Sequence, residues 1–365
     1  MNVHPYIQSL VPYKPGKPIE ETKRELGLQT VYKLASNENP LGPSPKVVEA
    51  IREAALETHR YPDPSCHHLV RKMCEVYQAS VPQLAVGNGS NELIDLLIRI
   101  YCEPGEAIIT SKSAFIAYQI CAQAARVDTL HTNLTEDLVI DLDEVLKTYR
   151  DSKGRAKVIF LPNPNNPTGT YFGEGPWKKF LDEIGNDPDV LIVMDEAYFE
   201  YVEASDYQSS IPLMTKYKSL CVLRTLSKAY GLSGLRIGAL IAQPEVIELV
   251  HKVRHPFNIN NVAQAGALAA FDDQDYIRRS VEMNRAGKSL LAAELGQLGI
   301  EFLPTQGNFI LMKTKGPGAD VFTELLKQGV ITRPVAGYGL VDYLRVSIGT
   351  EEENRVFLAA LKKLT

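Results

Sequence analysis

The chain has 365 residues, with 39 Lys or Arg and 44 Asp or Glu, so its formal charge is −5. Hydrophobic residues make up 45% and charged residues 23%, which is typical of a globular protein and excludes disordered, collagen-like and coiled-coil chains. The acidic balance argues against general binding to nucleic acid or to an anionic membrane. No apolar run reaches the ~18 residues that a membrane span needs. A chain longer than about 250–300 residues favours two domains.

Cysteine usage and the N-terminus bear on the compartment. The first residues form neither a basic nor an apolar segment, so no secretory signal is visible. Five scattered cysteines without a C-x-x-C pair fit a reduced, cytoplasmic protein. The cysteines and histidines at 66–74 could suggest a metal site, but the apolar residues from Cys66 to Tyr77 repeat with the spacing of one helix face. We interpret them as core and expect no metal.

The elements follow in chain order. An N-terminal arm is expected over 1–40, packing near the functional site. Ser44 and Pro45 then predict a helix start, which opens a large domain over 41–270. In this domain short apolar runs alternate with helical segments such as 92–101 and 175–185. The runs lie at 107–110, 157–161, 190–194, 219–223 and 237–241. Strands that are apolar on both faces and joined by helices predict an α/β fold with a mostly parallel sheet.

A smaller α+β domain is predicted over 271–365. Its first element is a long charged helix over about 274–298. Strand-like segments follow at 302–313, 330–335 and 343–348. The last helix is expected to start at Thr350, because Thr350 and Glu353 have capping-box spacing.

Polar residues that follow the apolar runs are the candidates for chemistry, since ligands of parallel sheets bind beyond the carboxyl ends of the strands. Asp195 follows the run at 190–194 and needs a cation or hydrogen-bond donors there, although the N-cap of a helix would suit it equally. Lys228 lies just beyond the run at 219–223, eight residues before Arg236. A lysine beside other cations should have a lowered pKa and can form a Schiff base with an aldehyde. A surface lysine and a structural arginine are the ordinary alternative.

Two loops add weaker signals. The sequence GNGSNE at 87–92 opens a helix and suits a phosphate at the helix N-terminus, although a simple helix start is equally compatible. It lacks the third glycine of a dinucleotide fingerprint and any Walker motif, so NAD and ATP are not supported. The sequence NPNNPTG at 163–169 predicts a rigid loop that can present an asparagine side chain, or simply a well-formed turn.

Together the segments are more specific than any one of them. NPTG at 166–169, DEAY at 195–198 and SK at 227–228, each after a predicted strand and followed by Arg236, resemble the fold-type I aminotransferases, which use pyridoxal 5′-phosphate (PLP). The resemblance extends over nearly the whole chain. It implies a three-layer sandwich around a mostly parallel sheet, with a smaller α+β C-terminal domain.

The resemblance also implies roles for single residues around the cofactor ring. Lys228 resembles the Schiff-base lysine, which also moves the substrate proton. Asp195 resembles the partner of the pyridinium nitrogen. Tyr198 and Asn166 resemble the donors to the phenolic oxygen. Phe115 lies where the family stacks an aromatic side chain on the ring.

The cofactor phosphate is expected to be bound by hydroxyl, amide and guanidinium donors. The residues that the resemblance implies for this role are Ser90, Asn91, Thr225, Ser227 and Arg236.

Within this fold the closest resemblance is to the histidinol-phosphate aminotransferases. The segments that carry it are VPYKPGKP at 11–18, LASNENPLG at 34–42, RYPDP at 60–64, PFNIN at 256–260 and TRPVAGYG at 332–339. In that family the tyrosine that corresponds to Tyr61 reaches the cofactor phosphate of the neighbouring subunit. The resemblance therefore implies a homodimer with composite active sites.

The expected substrate contacts come from Arg333 and Arg345, with Tyr13 on the arm and Asn166. Two guanidinium groups offer more donors than one carboxylate needs, which suits the phosphate of L-histidinol phosphate. The resemblance implies amino transfer from this substrate to 2-oxoglutarate, giving imidazole-acetol phosphate and L-glutamate, in cytoplasmic L-histidine biosynthesis. For Arg333 a surface salt bridge is the ordinary alternative.

Sibling activities share nearly all of the expected cofactor residues. An aromatic amino-acid (phenylpyruvate) aminotransferase or a threonine-phosphate decarboxylase of the same fold is the alternative. A sensory module with an aminotransferase-like domain is a different class. It would need an added DNA-binding domain, for which the aminotransferase-like segments, beginning near residue 11, leave no room.

Overall fold

A computed structural model describes residues 3–12 and 16–364, and shows twelve strands and thirteen α-helices within those ranges. The strands are β1 (Tyr32–Lys33), β2 (Leu84–Asn88), β3 (Ala107–Ser111), β4 (Asp128–Thr132), β5 (Ala156–Pro162), β6 (Leu191–Asp195), β7 (Leu220–Thr225), β8 (Ile237–Ile241), β9 (Phe309–Lys313), β10 (Val330–Ile331), β11 (Arg333–Pro334) and β12 (Tyr343–Ser347). The α-helices are α1 (Pro5–Gln8), α2 (Ile19–Leu26), α3 (Pro45–Ala55), α4 (His67–Tyr77), α5 (Gly89–Tyr101), α6 (Ala117–Ala124), α7 (Leu142–Asp151), α8 (Glu174–Ile184), α9 (Pro244–Val253), α10 (Asn261–Phe271), α11 (Gln274–Gln297), α12 (Gly318–Lys327) and α13 (Glu351–Lys362).

The centre of the molecule is a seven-stranded sheet in the order β2-β8-β7-β6-β5-β3-β4. The pairs from β7 to β4 are parallel, and β8 runs antiparallel to both of its neighbours. Strands β3, β6, β7 and β8 are buried at every residue. Burial on both faces explains why the sequence shows continuous apolar runs instead of alternation. The predicted α/β fold with a mostly parallel sheet is confirmed.

Helices cover both faces of this sheet. Successive strand residues point to opposite faces, so Ile108 and Val193 lie in a core with α5, α6 and α9, whereas Ile109 and Ile192 lie in a core with α4, α7, α8 and α10. The predicted three-layer sandwich is confirmed. The core with α4, α7, α8 and α10 includes Cys66 and the apolar face of α4 as far as Tyr77. The sequence pattern predicted this face correctly.

A smaller antiparallel sheet, in the order β11-β12-β9, packs with α11, α12 and α13 around a core of its own. The N-terminal segment joins this part of the molecule, because β1 pairs with β10 and Leu34 lies in the same core. Helix α11 contributes Ile277 to the large core and Leu295 to the small core. The predicted domain boundaries at residues 40 and 270 therefore stay a prediction.

Local signals place several element boundaries. The Ser44 side chain accepts a hydrogen bond from the Val47 N–H at the start of α3, and Thr350 with Glu353 forms the predicted capping box of α13. The strand predicted over 302–313 is too long, since regular pairing is confined to β9. Phe302 makes only an isolated bridge to Met312, and Pro304 has no N–H to donate to a ladder.

Three loops meet at one edge of the large sheet. Pro162 at the end of β5 pairs with Asp195 at the end of β6, and Asp195 pairs with Leu223 near the end of β7. Because these strands are parallel and adjacent, the segments that follow them emerge side by side. Of the helices described, none combines the length and the apolar character that crossing a bilayer requires.

Candidate active site

A cavity of about 420 Å³ opens at the carboxyl ends of β5, β6 and β7. Twelve of the predicted site residues line it, from the large sheet and the loops that follow its strands, from α5, and from the small sheet. They are Ser90, Asn91, Phe115, Asn166, Asp195, Tyr198, Thr225, Ser227, Lys228, Arg236, Arg333 and Arg345. The structure thus brings together residues that are up to 255 positions apart in the chain, from Ser90 to Arg345.

Lys228 lines this cavity and is partly buried. Its Nζ donates to the backbone carbonyl oxygen of Asn37 at 3.3 Å and lies 3.5 Å from that of Ser36. Burial lowers the pKa of Lys228 to about 8, and the positive charge of Arg345 acts in the same direction. A substantial fraction of the amine is therefore neutral near pH 8, as a nucleophile or a general base requires.

Asp195 is buried beside Lys228. The Tyr118 hydroxyl donates to its Oδ2 at 2.7 Å, and the Ala197 N–H donates to its Oδ1 at 3.1 Å. Burial raises the pKa of Asp195 to about 6, although both hydrogen bonds favour the ionised form. A cationic group in the cavity would stabilise this carboxylate. Asp195 is not a helix N-cap, because the next helical element is a 3₁₀ turn over Phe199–Tyr201 whose N-cap is Tyr198.

Tyr198 and Asn166 have fixed orientations. Asn37 Nδ2 donates to the Tyr198 hydroxyl at 3.0 Å, which leaves the hydroxyl hydrogen to donate elsewhere. Asn166 Oδ1 accepts from Arg345 Nη1, so the Asn166 amide NH₂ is the end that can donate into the cavity. Burial raises the pKa of Tyr198 to about 12, so its phenol is neutral.

The turn from β2 to α5 forms a cradle of donors. Ser90 and Asn91 lie in the first turn of α5, where backbone N–H groups point outward. Arg236 Nη1 lies 3.4 Å from the Ser227 hydroxyl, and Thr225 donates to the same hydroxyl at 3.0 Å. These hydroxyl, guanidinium and helix N-terminal donors fit a phosphate dianion.

A glycine in this cradle allows the close approach of Arg236. Gly89 has φ +74°, and a Cβ at this position would collide with the Arg236 guanidinium. Any other residue would thus be strained in its backbone and would displace the cation. The role of this glycine-rich turn in binding a phosphate stays a prediction.

Arg333 and Arg345 come from the small sheet. They are directly opposite each other in the β11–β12 pair, and both line the cavity. Arg345 is buried, and its Nη2 donates to the backbone oxygen of Ala35 at 2.6 Å. Two like charges side by side repel one another, so this wall favours an anionic group on the ligand.

Two predicted residues are elsewhere. Tyr61 is 82% exposed and stacks on Phe257, with ring centroids 4.6 Å apart, and it does not line the cavity of its own chain. A role in a neighbouring subunit cannot be read from one chain and stays a prediction. Tyr13 lies outside the described residues.

The sequence patterns missed three residues of the site, namely Asn37, Tyr118 and Tyr338, all of which line the cavity. Asn37 and Tyr338 lie inside the segments at 34–42 and 332–339 that resemble the family, between the residues that carried the argument. Tyr118 is three residues after Phe115, which is helical spacing toward one face, and this was the signal available for it.

Comparison with known proteins identifies the family. The family model of the class I and II aminotransferases matches residues 29–361. The chain belongs to this aminotransferase family. The family predicted from the motifs is thereby confirmed.

Relatives of this aminotransferase are similar over its whole length. A histidinol-phosphate aminotransferase of Bdellovibrio bacteriovorus is 46% identical over 100% of this chain and 98% of its own. One of Anaeromyxobacter sp. is 45% identical over 99% of this chain and 98% of its own.

Solved structures agree with the fold of this aminotransferase. A histidinol-phosphate aminotransferase of Sinorhizobium meliloti, in complex with pyridoxal-5′-phosphate, is 25% identical with a TM-score of 0.89, covering 100% of this chain and 98% of that chain. An aspartate aminotransferase of Thermus thermophilus with maleate, at 20% identity and a TM-score of 0.85 over the whole of both chains, shows the shared fold alone.

Proposed function

We propose that this enzyme is a PLP-dependent histidinol-phosphate aminotransferase. It transfers the amino group of L-histidinol phosphate to 2-oxoglutarate, giving imidazole-acetol phosphate and L-glutamate in L-histidine biosynthesis. The observation that carries the proposal is the pairing of Arg333 and Arg345 on the wall of a cavity that Lys228 also lines. The names of the relatives at 46% and 45% identity support the same substrate.

The cavity fits PLP. A phosphate cradle, a buried carboxyl and a partly buried amine line one space, with Phe115 beside them, and these match the phosphate, the ring nitrogen, the aldehyde and the ring face. Bound PLP supplies an aldehyde for covalent attachment and a ring that accepts electrons when the α-proton leaves. Asp195 would hold a proton on the ring nitrogen, and Tyr198 with Asn166 would donate to the phenolic oxygen.

Lys228 carries the proton movement. Its pKa of about 8 means that the amine is deprotonated often enough near neutral pH to accept the α-proton of the amino donor and then to donate it again. The carbonyl oxygens of Ser36 and Asn37 hold the amine in place between these transfers. In the second half of a ping-pong cycle the same group reverses the steps with 2-oxoglutarate.

We assign the choice of substrate to Arg333 and Arg345, which lie side by side on the cavity wall. Guanidinium groups bind phosphate and carboxylate through parallel hydrogen bonds, and a pair of them matches a dianion better than a monoanion. Arg345, held by Ala35 and Asn166, is placed for an anion shared by both substrates. Arg333 is the residue that favours the phosphorylated donor.

We also propose that the enzyme is a cytoplasmic homodimer with composite sites. The exposed Tyr61–Phe257 pair is a surface that a second copy would cover, with Tyr61 reaching the cradle of the neighbouring subunit. The three parts of the chain, the arm over 1–40, a PLP-binding domain over 41–270 and a small domain over 271–365, belong to the same proposal. Tyr13 on the arm is proposed to contact the substrate.

The experiment is a transamination assay with competing amino donors. Purified enzyme with PLP and 2-oxoglutarate is given equal concentrations of L-histidinol phosphate and phenylalanine, then threonine phosphate alone. We expect the specificity constant for histidinol phosphate to exceed that for phenylalanine by at least ~100-fold. A preference for phenylalanine would identify the aromatic aminotransferase instead, and carbon dioxide release from threonine phosphate would identify the decarboxylase.

A further inference from the structure

Tyr118 is a fully buried residue of the cavity wall to which the proposed mechanism gives no role. Its hydroxyl donates to Asp195 Oδ2 at 2.7 Å, although the two residues are 77 positions apart. Burial and the neighbouring carboxylate raise the pKa of Tyr118 well above its ordinary value of 10. The phenol is therefore a neutral donor at every pH at which the enzyme would work.

Aromatic contacts fix this hydroxyl in place. The Tyr118 ring stacks on Phe160 with centroids 4.7 Å apart and planes 11° apart. Its edge meets Phe115 at 5.7 Å and 89°. The position of the hydroxyl is thus set by packing and not by the hydrogen bond, so a phenylalanine at this position would keep the packing and lose only the donor.

The charges around Asp195 leave its ionisation finely balanced. Burial and the adjacent Glu196 favour the protonated acid, whereas Lys228, the Ala197 N–H and the Tyr118 hydroxyl favour the carboxylate. Glu196 is itself paired with the buried Arg224 at 2.7 Å. Tyr198 also faces Asp195 and is neutral. Among the described residues, Tyr118 is the only side chain that donates a hydrogen bond to Asp195.

We propose that Tyr118 is a positioning residue that keeps the Asp195 carboxylate ionised and aimed into the cavity. A donor to the charged form of an acid favours that form. Without it, Asp195 would retain its own proton to a higher pH and hold the proton of the cofactor nitrogen less firmly, which would weaken the ring as an electron acceptor. This step rests on the proposed function, but the hydrogen bond and its effect on Asp195 do not.

The first test uses the protein without cofactor. The titration of Asp195 is followed by NMR of ¹³C-labelled aspartate carboxyl carbons, with Asp195→Asn to assign the signal. We expect Tyr118→Phe to raise the pH of half-ionisation by about one unit or more, a tenfold change in the ionisation constant. An unchanged titration would overturn the proposal.

A matched control is available in Tyr77. It is also buried, and its hydroxyl has no hydrogen-bond partner among residues 3–12 and 16–364. Tyr77→Phe should therefore leave the titration of Asp195 where it was. If Tyr77→Phe moved it as far as Tyr118→Phe does, the effect would be a general response of the core, and the proposal would fall.

The second test uses the enzyme loaded with PLP and histidinol phosphate. We expect Tyr118→Phe to lower kcat by ~10–100-fold, the range for a hydrogen bond to a charged group, with KM changed by less than about threefold. In an Asp195→Asn background the same substitution should lower kcat by less than about twofold, because the charge it acts through is gone. Equal losses in both backgrounds would indicate a merely structural role and contradict the proposal. If Asp195→Asn left transamination intact, the proposed function of the site would fail even where the first test succeeded.

Discussion

At the scale of single residues, the site depends on ionisable groups whose charged forms are destabilised by the loss of water. Lys228 has a lowered pKa, and Asp195 a raised one, and in both cases burial is the largest cause. The sequence predicted the direction for Lys228 from nearby cations, but the structure shows that loss of water outweighs the contribution of Arg345. How deeply a side chain is buried is decided by elements far away in the chain, so the main cause could not be predicted locally.

Replacing Lys228 should separate activity from stability. Lys228→Ala should abolish transamination, and borohydride treatment of the wild type with PLP should label Lys228 alone.

The pKa of Lys228, about 8, lies below the ordinary 10.5. Between these values the unfolded chain binds more protons than the folded protein, so the stability of the fold rises with pH across that window. Below pH 8 the folded protein bears the full free-energy cost of keeping the Lys228 amine charged away from water. Apo Lys228→Met is therefore expected to be more stable than the wild type by ~3 kcal/mol at pH 7, with the gain fading from pH 8 to 10.5 in urea unfolding. A gain that does not depend on pH would contradict the assignment of this pKa.

Arg333 should affect one substrate more than the other. Arg333→Ala is expected to lower kcat/KM for histidinol phosphate by ~100-fold, since a charge-assisted pair to phosphate is lost, and for glutamate by less than about fivefold. The two half-reactions, measured separately in single turnovers, provide the comparison. Equal losses for both substrates would remove Arg333 from substrate selection.

At the scale of elements, the phosphate cradle requires a strand, a glycine turn and a helix in one arrangement. The sequence predicted the turn from its glycines and a helix over 92–101 from its apolar spacing, and α5 begins three residues earlier, at Gly89. What it could not indicate was that Arg236, which also has a positive φ of 58°, packs against that glycine. This contact forms because β8 lies beside β2 in antiparallel register.

A glycine substitution tests this cradle. Gly89→Ala should weaken PLP binding by at least ~10-fold, because it combines a strained backbone with displacement of the Arg236 guanidinium. Gly105→Ala is the matched control, since Gly105 has φ +92° but open space around its Cβ position. Equilibrium dialysis of PLP against both variants measures the difference. Comparable losses in the two would mean that strain alone, and not the cation, is responsible.

At the scale of the whole molecule, the cavity is closed by parts of the chain that fold around different cores. Arg345 and Arg333 come from the small sheet, Lys228 and Asp195 from the large one, and the segment around Asn37 connects them. The proposed dimer would add a further component, the exposed Tyr61 of a second copy of the chain. The cavity would then be shared between subunits.

Mixed dimers test this arrangement. Lys228→Ala and Tyr61→Ala enzymes are unfolded together, refolded and assayed with histidinol phosphate. A mixed dimer contains one site with an intact Lys228 and the partner's intact Tyr61, so activity should rise to roughly a quarter of the wild-type value, well above that of either variant alone. Sedimentation confirms the mass of the dimer. Activity that stays at the mean of the two variants would show that Tyr61 does not act across an interface.

The sequence by itself determined the buried strands, the polar residues that follow them and the family, because these signals are contained in short segments whose periodicity and turn chemistry are local. The tertiary structure decided which side chains hold those residues in place. Asn37 reaches Tyr198 across 161 positions, and Arg345 reaches Asn166 across 179. Such contacts depend on how two sheets and the N-terminal segment pack together, and packing is a property of surfaces that no single stretch of the chain contains.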